Sequence, residues 1–187
     1  MKRKWLSLLL ILTMLLVIAA FSGCSGQSAD KNSDKTPVTP PADKEMIEQD
    51  ITLYFSDDQA MYLNAEVRTV EVEEAKQAEQ IRTAVINELI AGPEDSTLYR
   101  TIPPEAKLLG IEVKDAIAYV DFSEEIRTKH WGGSTGEIMT MGSIINSLTE
   151  LEGIEKVLVL INGETQETLV GHLEISEPSG RIESLLE

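Results

Sequence analysis

The chain predicts an α+β fold, a mostly antiparallel sheet with two main helices on one face, and three observations carry that reading. Asp50–Val72 and Lys107–Ser123 alternate apolar and polar residues with the period of two of half-buried strands. Glu73–Ala91 and Ser134–Leu151 change to the helical period. Strands and helices follow one another as β-β-α-β-β-(short α)-α-β-β, with no internal repeat, and 187 residues leave room for one ordinary domain plus accessory segments.

Taken in order, Lys2-Arg3-Lys4 is a basic start and Trp5–Phe21 an apolar run, the form of an export signal over residues 1–23. Phe21-Ser22-Gly23-Cys24 resembles the lipobox of bacterial lipoproteins, in which the cysteine is acylated and becomes the new N-terminus. A diacylglycerol on Cys24 supplies the two chains that stable anchoring needs. Residues 24–48 read as a linker: Ser, Gly, Asp, Lys and Thr with Pro37, Pro40 and Pro41, able to hold a domain on the order of 25–50 Å from the bilayer. The folded domain is then expected over residues 49–187.

Asp50–Ser56 is a strand with Ile51, Leu53 and Phe55 on one face, broken by Asp57-Asp58-Gln59. Leu63–Val72 is its hairpin partner, with Leu63, Ala65, Val67 and Thr69 on one side and Asn64, Glu66 and Arg68 on the other. Ala78, Ile81, Val85 and Leu89 place a helix over Glu73–Ala91, stopped by Gly92-Pro93. Glu94–Ala106, with Pro103-Pro104, is a loop. Lys107–Ser123 is a second hairpin, with Leu109, Ile111 and Val113 facing one way, Ala116, Ala118, Val120 and Phe122 sharing a face, and a break at Lys114-Asp115. Ser123-Glu124-Glu125 opens a short helix, His130–Gly133 interrupts it, and Ser134 caps a long helix whose stripe is Ile138, Met141, Ile145 and Leu148. Gly153 closes it. Ile154–Ile161 is apolar on both faces, as a central strand is, and Asn162-Gly163 turns the chain into a partner strand at Thr168–Leu173. The tail from Ile175 is either a terminal strand or a frayed end.

The charge balance disfavours nucleic acid. Sixteen basic residues stand against 32 acidic, a net −16, and loss of a leader carrying Lys2, Arg3 and Lys4 takes it to −19. Cys24 is the sole cysteine, so neither an intramolecular disulfide nor a cysteine metal cluster can form. Ser134 and Ser143 stand beside glycines without the G-x-S-x-G form, and read better as a helix cap and a small helix contact than as nucleophiles. His130 and His172 share no ligand spacing, so no metal and no cofactor is expected. Asp121 with Glu124 or Glu125 has the composition of an acid–base pair, although 32 acidic residues place such pairs together by chance. His130-Trp131-Gly132-Gly133 is more informative: a tryptophan in a glycine-flanked loop is either a plug at the edge of the core or an anchor for a partner.

Ile51-Thr52-Leu53-Tyr54-Phe55, Glu88–Pro93, Thr101-Ile102-Pro103, Leu108-Leu109-Gly110, the hairpin Ile111–Ser123, Ser147-Leu148-Thr149 and Val157–Gly163 together resemble a GerMN-domain lipoprotein, over about Asp50 to His172. The family usually has Lys-Asp-Gly at the hairpin tip, where this chain has Lys114-Asp115-Ala116; a positive φ at Ala116 would cost energy or move to Asp115. The resemblance implies a non-enzymatic module on the extracytoplasmic face of the cell membrane, similar to the ring-building domains of envelope machines. It would hold the membrane through lipid on Cys24, meet envelope protein partners or further copies of itself, and act in sporulation, germination or envelope assembly. A cell-wall-modifying hydrolase using Asp121, Glu124 or His130 is the alternative; a solute-binding lipoprotein would need a cleft between domains that one small domain lacks.

Overall fold

The computed structural model describes residues 44–187; the leader, Cys24 and the linker up to residue 43 lie outside the described residues. The first hairpin pairs β1 (Met46–Ser56) with β2 (Leu63–Glu73) in one unbroken antiparallel register, Met46 opposite Glu73 and Ser56 opposite Leu63. The strand therefore starts inside the stretch assigned to the linker. That extension is tied down by the Lys44–Glu73 ion pair and by the Glu74 N–H donated to the Glu45 carbonyl at 2.9 Å.

A 3-10 turn, Glu74–Lys76, leads into α1 (Gln77–Ala91), which buries Ile81, Val85, Ile86 and Leu89. The helix is shorter than Glu73–Ala91 because Glu73 still belongs to β2, its N–H held by Gln80 Oε1 at 2.7 Å. Gly92 ends it at φ +91°, with the Arg100 guanidinium over it donating to the carbonyls of Ile90 and Ala91. The positive φ favours glycine here, and a Cβ on Gly92, 2.6 Å from that guanidinium, would also push the Arg100 side chain aside.

The second hairpin joins β3 (Leu108–Lys114) to β4 (Ile117–Phe122). Its turn takes positive φ at both central residues, Asp115 (+51°) and Ala116 (+60°), the two-residue turn that suits the twist of a hairpin. Ala116 thus adopts the glycine conformation together with Asp115, and its carbonyl is docked by the N–H groups of Glu155 and Lys156 at 2.8 and 3.2 Å. A bulge between Leu108 and Gly110 breaks the alternation read for β3. It turns Leu109 out, 52% exposed, while Leu108, Ile111 and Val113 pack against the core.

After the short helix α2 (Glu125–Thr128) and the long helix α3 (Ser134–Leu148), β5 (Lys156–Ile161) pairs with β4 in parallel, the one parallel pairing among the described strands. The β-α-β connection places helices over the face that carries Ala118, Val120, Phe122, Val157, Val159 and Ile161. The other side of β5 pairs with two short strands, β6 (Glu164–Thr165) and β7 (Ser179–Gly180). The strands thus form two sheets, β1-β2 and β3-β4-β5-β6 with β7, rather than a single one, and both contribute to one core with α1 and α3.

Two further expectations change. The face of β2 carrying Ala65, Val67 and Thr69 is the solvent face, whereas Arg68, Val70 and Val72 turn inward. Arg68 is accommodated because Glu66 (2.7 Å from Nε), Glu88 (2.5 Å from Nη1) and the Gly92 carbonyl (2.6 Å from Nη2) satisfy its guanidinium, 5.5 Å above the Phe55 ring. Thr168–Leu173 is not a strand, for a reason that lies in α3 and is described below. The C-terminal tail is anchored: Arg181 donates to Tyr54 Oη at 2.9 Å and pairs with Glu150 at 2.7 Å, and Asn146 exchanges hydrogen bonds with the Ile182 backbone.

Candidate contact surface at the Trp131 loop

Helix α3 organises the polar interior. Tyr54, on the outward edge of β1, donates its N–H to Ser147 Oγ at 3.0 Å, and its carbonyl accepts from Ser143 Oγ at 2.6 Å. Two serines one helical turn apart therefore take the place of a neighbouring strand. Ser143 also accepts from Thr101 Oγ1 at 2.8 Å and is fully buried, so Met141-Gly142-Ser143 is a packing element: Gly142 admits Leu185, which a Cβ would meet at 2.5 Å. Ser134 is the first helical residue and Gly133 the cap, at φ +83°, with no side-chain capping bond. The expected serine cap fails because the chain enters the helix through two glycines at positive φ.

Glu137, three residues after Ser134, is fully buried, and the sequence reading did not single it out. Its carboxylate reaches away from the helix and accepts the N–H groups of Val170, His172 and Leu173, each at 3.1 Å, and lies 2.6 Å from His172 Nδ1. These amides would otherwise serve a strand, which is why Thr168–Leu173 winds around the carboxylate instead. Burial alone would raise the carboxyl's pKa, but the backbone donors and the imidazole outweigh it and hold the group below the usual range.

His130 and Trp131 stack with ring centroids 4.8 Å apart. His130 Nδ1 accepts the Gly132 N–H at 2.9 Å, which leaves the proton of the neutral ring on Nε2, 2.9 Å from Thr140 Oγ1. Thr140 in turn donates to the Thr101 carbonyl at 2.6 Å. Burial keeps the imidazole's pKa below its ordinary value against the pull of Glu137. The Trp131 indole then lies over the first turn of α3, where a Cβ on Gly136 would come within 2.9 Å of Nε1. It remains 53% exposed, so it is a presented side chain and not a core plug. With Tyr99, Arg100, Asp57 and Met139 it lines a notch of about 180 Å³ beside the β1–β2 turn, whose Met61 and Tyr62 are also exposed.

Of the other residues weighed from sequence, Asp121 accepts the Gly163 N–H at 2.7 Å and Glu124 lies 3.3 Å from Asn162 Nδ2. Both carboxylates hold the Asn162-Gly163 turn. His172 is drawn to Glu137, and His130 to Thr140, so the two histidines belong to different clusters. Among the described residues no group of three His, Cys, Asp or Glu side chains is placed to hold a metal, and no helix is long and apolar enough to cross a membrane.

What the geometry defines is an α+β domain that uses its interior polar side chains to satisfy its own backbone and presents aromatic side chains at one notch. The chain belongs to the Germane family, described as sporulation and spore germination, whose model matches residues 52–167. Among solved structures it is similar to the first GerMN domain of the sporulation protein GerM from Bacillus subtilis, 24% identical, TM-score 0.57, over 71% of this chain and 98% of that one. It is similar also to the tandem GerMN domains of the same protein, 23% identical, TM-score 0.56, over 82% of this chain and 51% of that one. It thus spans about half the length of the tandem structure. A candidate lipoprotein from Clostridium perfringens is 28% identical at TM-score 0.49, over 71% of this chain and 87% of that one. A search of curated proteins finds no match. The GerMN fold implied by the sequence is therefore the fold of this chain.

Proposed function

We propose that the chain is a lipid-anchored, non-catalytic interaction module on the extracytoplasmic face of the cell membrane, which meets an envelope protein in sporulation or germination through the loop His130–Gly133. The observation that carries the contact is Trp131: a large apolar side chain, half exposed, held in place from beneath by His130, Gly136 and Thr140. A prepositioned aromatic loses little freedom on binding, and aromatics dominate the energetics of protein contacts. The acidic domain supports a protein partner over nucleic acid or an anionic lipid surface. The small residues Ser22-Gly23 immediately before Cys24, directly after the apolar run, support the anchor. Asp121 and Glu124 hold a turn, which favours contact over hydrolysis.

A photo-crosslinker at Tyr99 in the intact envelope tests the contact. Trp131→Ala should abolish the crosslinked species while leaving the circular dichroism unchanged; a crosslinked band of undiminished intensity would remove Trp131 from the contact. A band at twice the chain's own mass would identify a second copy as the partner. Cys24→Ala should release the protein from the membrane fraction, and persistence there would mean that Trp5–Phe21 is retained as the anchor.

A further inference from the structure

Among the described residues, the outward edge of β2 is bare between its two ends. Its two ends are covered: the Leu63 carbonyl accepts the Glu187 N–H at 3.4 Å, and the Glu73 N–H goes to Gln80. These two residues fix the phase, so the intervening backbone groups that point away from β1 belong to Ala65, Val67, Thr69 and Glu71. None of them meets a hydrogen-bond partner among the described residues, and all four side chains are exposed, Val67 at 64%.

Of the devices that ordinarily block such an edge, bulges, prolines and lysines are missing here, since the register with β1 has no bulge and Ala65–Glu71 contains neither proline nor lysine; the inward charge, Arg68, is neutralised by its own carboxylate partners. The free edge of the other sheet is different. There β3 is bulged at Leu109, contains Gly110, ends on Lys114 and is preceded by Lys107. Among the described residues, one edge is therefore protected and the other is left straight and open over Ala65–Glu71.

The surroundings of the open edge are acidic. A groove of about 290 Å³ runs beside it, lined by Val67–Val70 with Glu88 and Glu94 on the helix side. Glu71 projects from the opposite face. The cation in the groove, Arg68, is buried and already engaged by Glu66 and Glu88. A second copy of this chain would bring the same acidic groove against itself, at a net charge of −16 per chain.

We propose that the β2 edge is a docking site for an extended, lysine- or arginine-bearing segment of a partner protein, added as a third strand beside Ala65–Glu71. An aliphatic side chain of the segment would lie against Val67 and a cation would reach Glu94 and Glu88. The edge shares no residue with the Trp131 notch, so this stands apart from the contact proposed there.

The test uses the full chain in detergent micelles and an acetylated, amidated heptapeptide, Lys-Thr-Thr-Lys-Val-Thr-Thr, laid antiparallel to β2 so that its second lysine faces the groove. Amide hydrogen exchange at Ala65, Val67, Thr69 and Glu71 should slow at least tenfold on saturation, with Ala118 and Val120 unchanged. Glu94→Lys, at a side chain 80% exposed, should weaken the peptide about fivefold to tenfold without affecting the fold. Val67→Pro, which removes an outward N–H that an edge strand can spare, should abolish the protection. No protection by the lysine peptide, or equal protection by its lysine-to-glutamate counterpart, would overturn the proposal. Protection that rises with protein concentration and needs no peptide would overturn it in favour of a second copy.

Discussion

The two strands of the first hairpin are equal in length and share a register, yet one end of the outer edge of β1 is closed while the outer edge of β2 between Ala65 and Glu71 is not. On β1 the outward groups of Tyr54 are taken by Ser143 and Ser147, and those of Ser56 by Tyr99 at 2.8 and 3.2 Å. On β2 the outward groups of Ala65 to Glu71 meet no partner among the described residues. Buried backbone must be satisfied by the protein, whereas backbone left at the surface is satisfied by water until something replaces it. The closed end of β1, at Tyr54 and Ser56, therefore marks where the chain fixes its own fold. The open edge and the notch at Trp131 are the two places where we propose that it meets a partner.

The comparison can be broken most severely on the closed side. Replacing both Ser143 and Ser147 by alanine leaves the N–H and carbonyl of Tyr54 buried and unpaired, and should lower stability by about 2–5 kcal/mol in chemical denaturation. A loss within experimental error would mean that α3 does not close this edge.

Glu137→Gln removes a buried charge from three backbone donors and should cost about 2–4 kcal/mol, with the segment from Val170 to Leu173 becoming protease-sensitive first. The same carboxylate sets an acid limit. Its folded pKa lies below the ordinary 4.5, so its contribution is complete above about pH 4.5 and is lost as the pH falls through the folded value. Urea midpoints measured downward from about pH 5 should fall in the parent and fall less in Glu137→Gln.

Ala116→Gly should act in the other direction. It relieves a side chain held at φ +60° and should add about 0.5–1 kcal/mol, read as a raised thermal midpoint.

His130 gives a smaller effect. Burial lowers its folded pKa beneath 6.5, so its neutral form stabilises fully above that pH, and the contribution declines as the pH falls from there towards the folded value. Protonation also removes the acceptor of the Gly132 N–H, and Trp131 emission should shift as acid is added. His130→Gln, which keeps an acceptor and a donor without titrating, should flatten that response. The smallest effect belongs to the open edge, where Val67→Thr should change stability by less than about 0.5 kcal/mol.

Those magnitudes also explain what the sequence could disclose. Ile51, Leu53 and Phe55, the stripe of α1, and Ala118, Val120 and Phe122 were legible because alternation and helical period are local signals. Asn162-Gly163 announced its turn for the same reason. The phase of β2 was hidden because Arg68 takes an inward position that only partners distant in sequence, such as Glu88 and Gly92, make tolerable. The bulge at Leu109 hid the true inward set of β3. Thr168–Leu173 alternates well enough for a strand, and nothing near it in sequence reveals that Glu137 takes its amides. At the candidate contact, the glycines exposed the Trp131 loop to inspection, but the support through His130, Thr140 and Thr101 depends on tertiary geometry.

The most direct measurement is native-state amide exchange of the full chain, comparing Tyr54 with Val67. The Tyr54 amide, donated to a buried Ser147, should exchange only by global unfolding, while Val67, on the same hairpin, should exchange orders of magnitude faster through water at an open edge. Equal and strong protection at both amides would contradict the account, because it would mean that the edge of β2 is already covered.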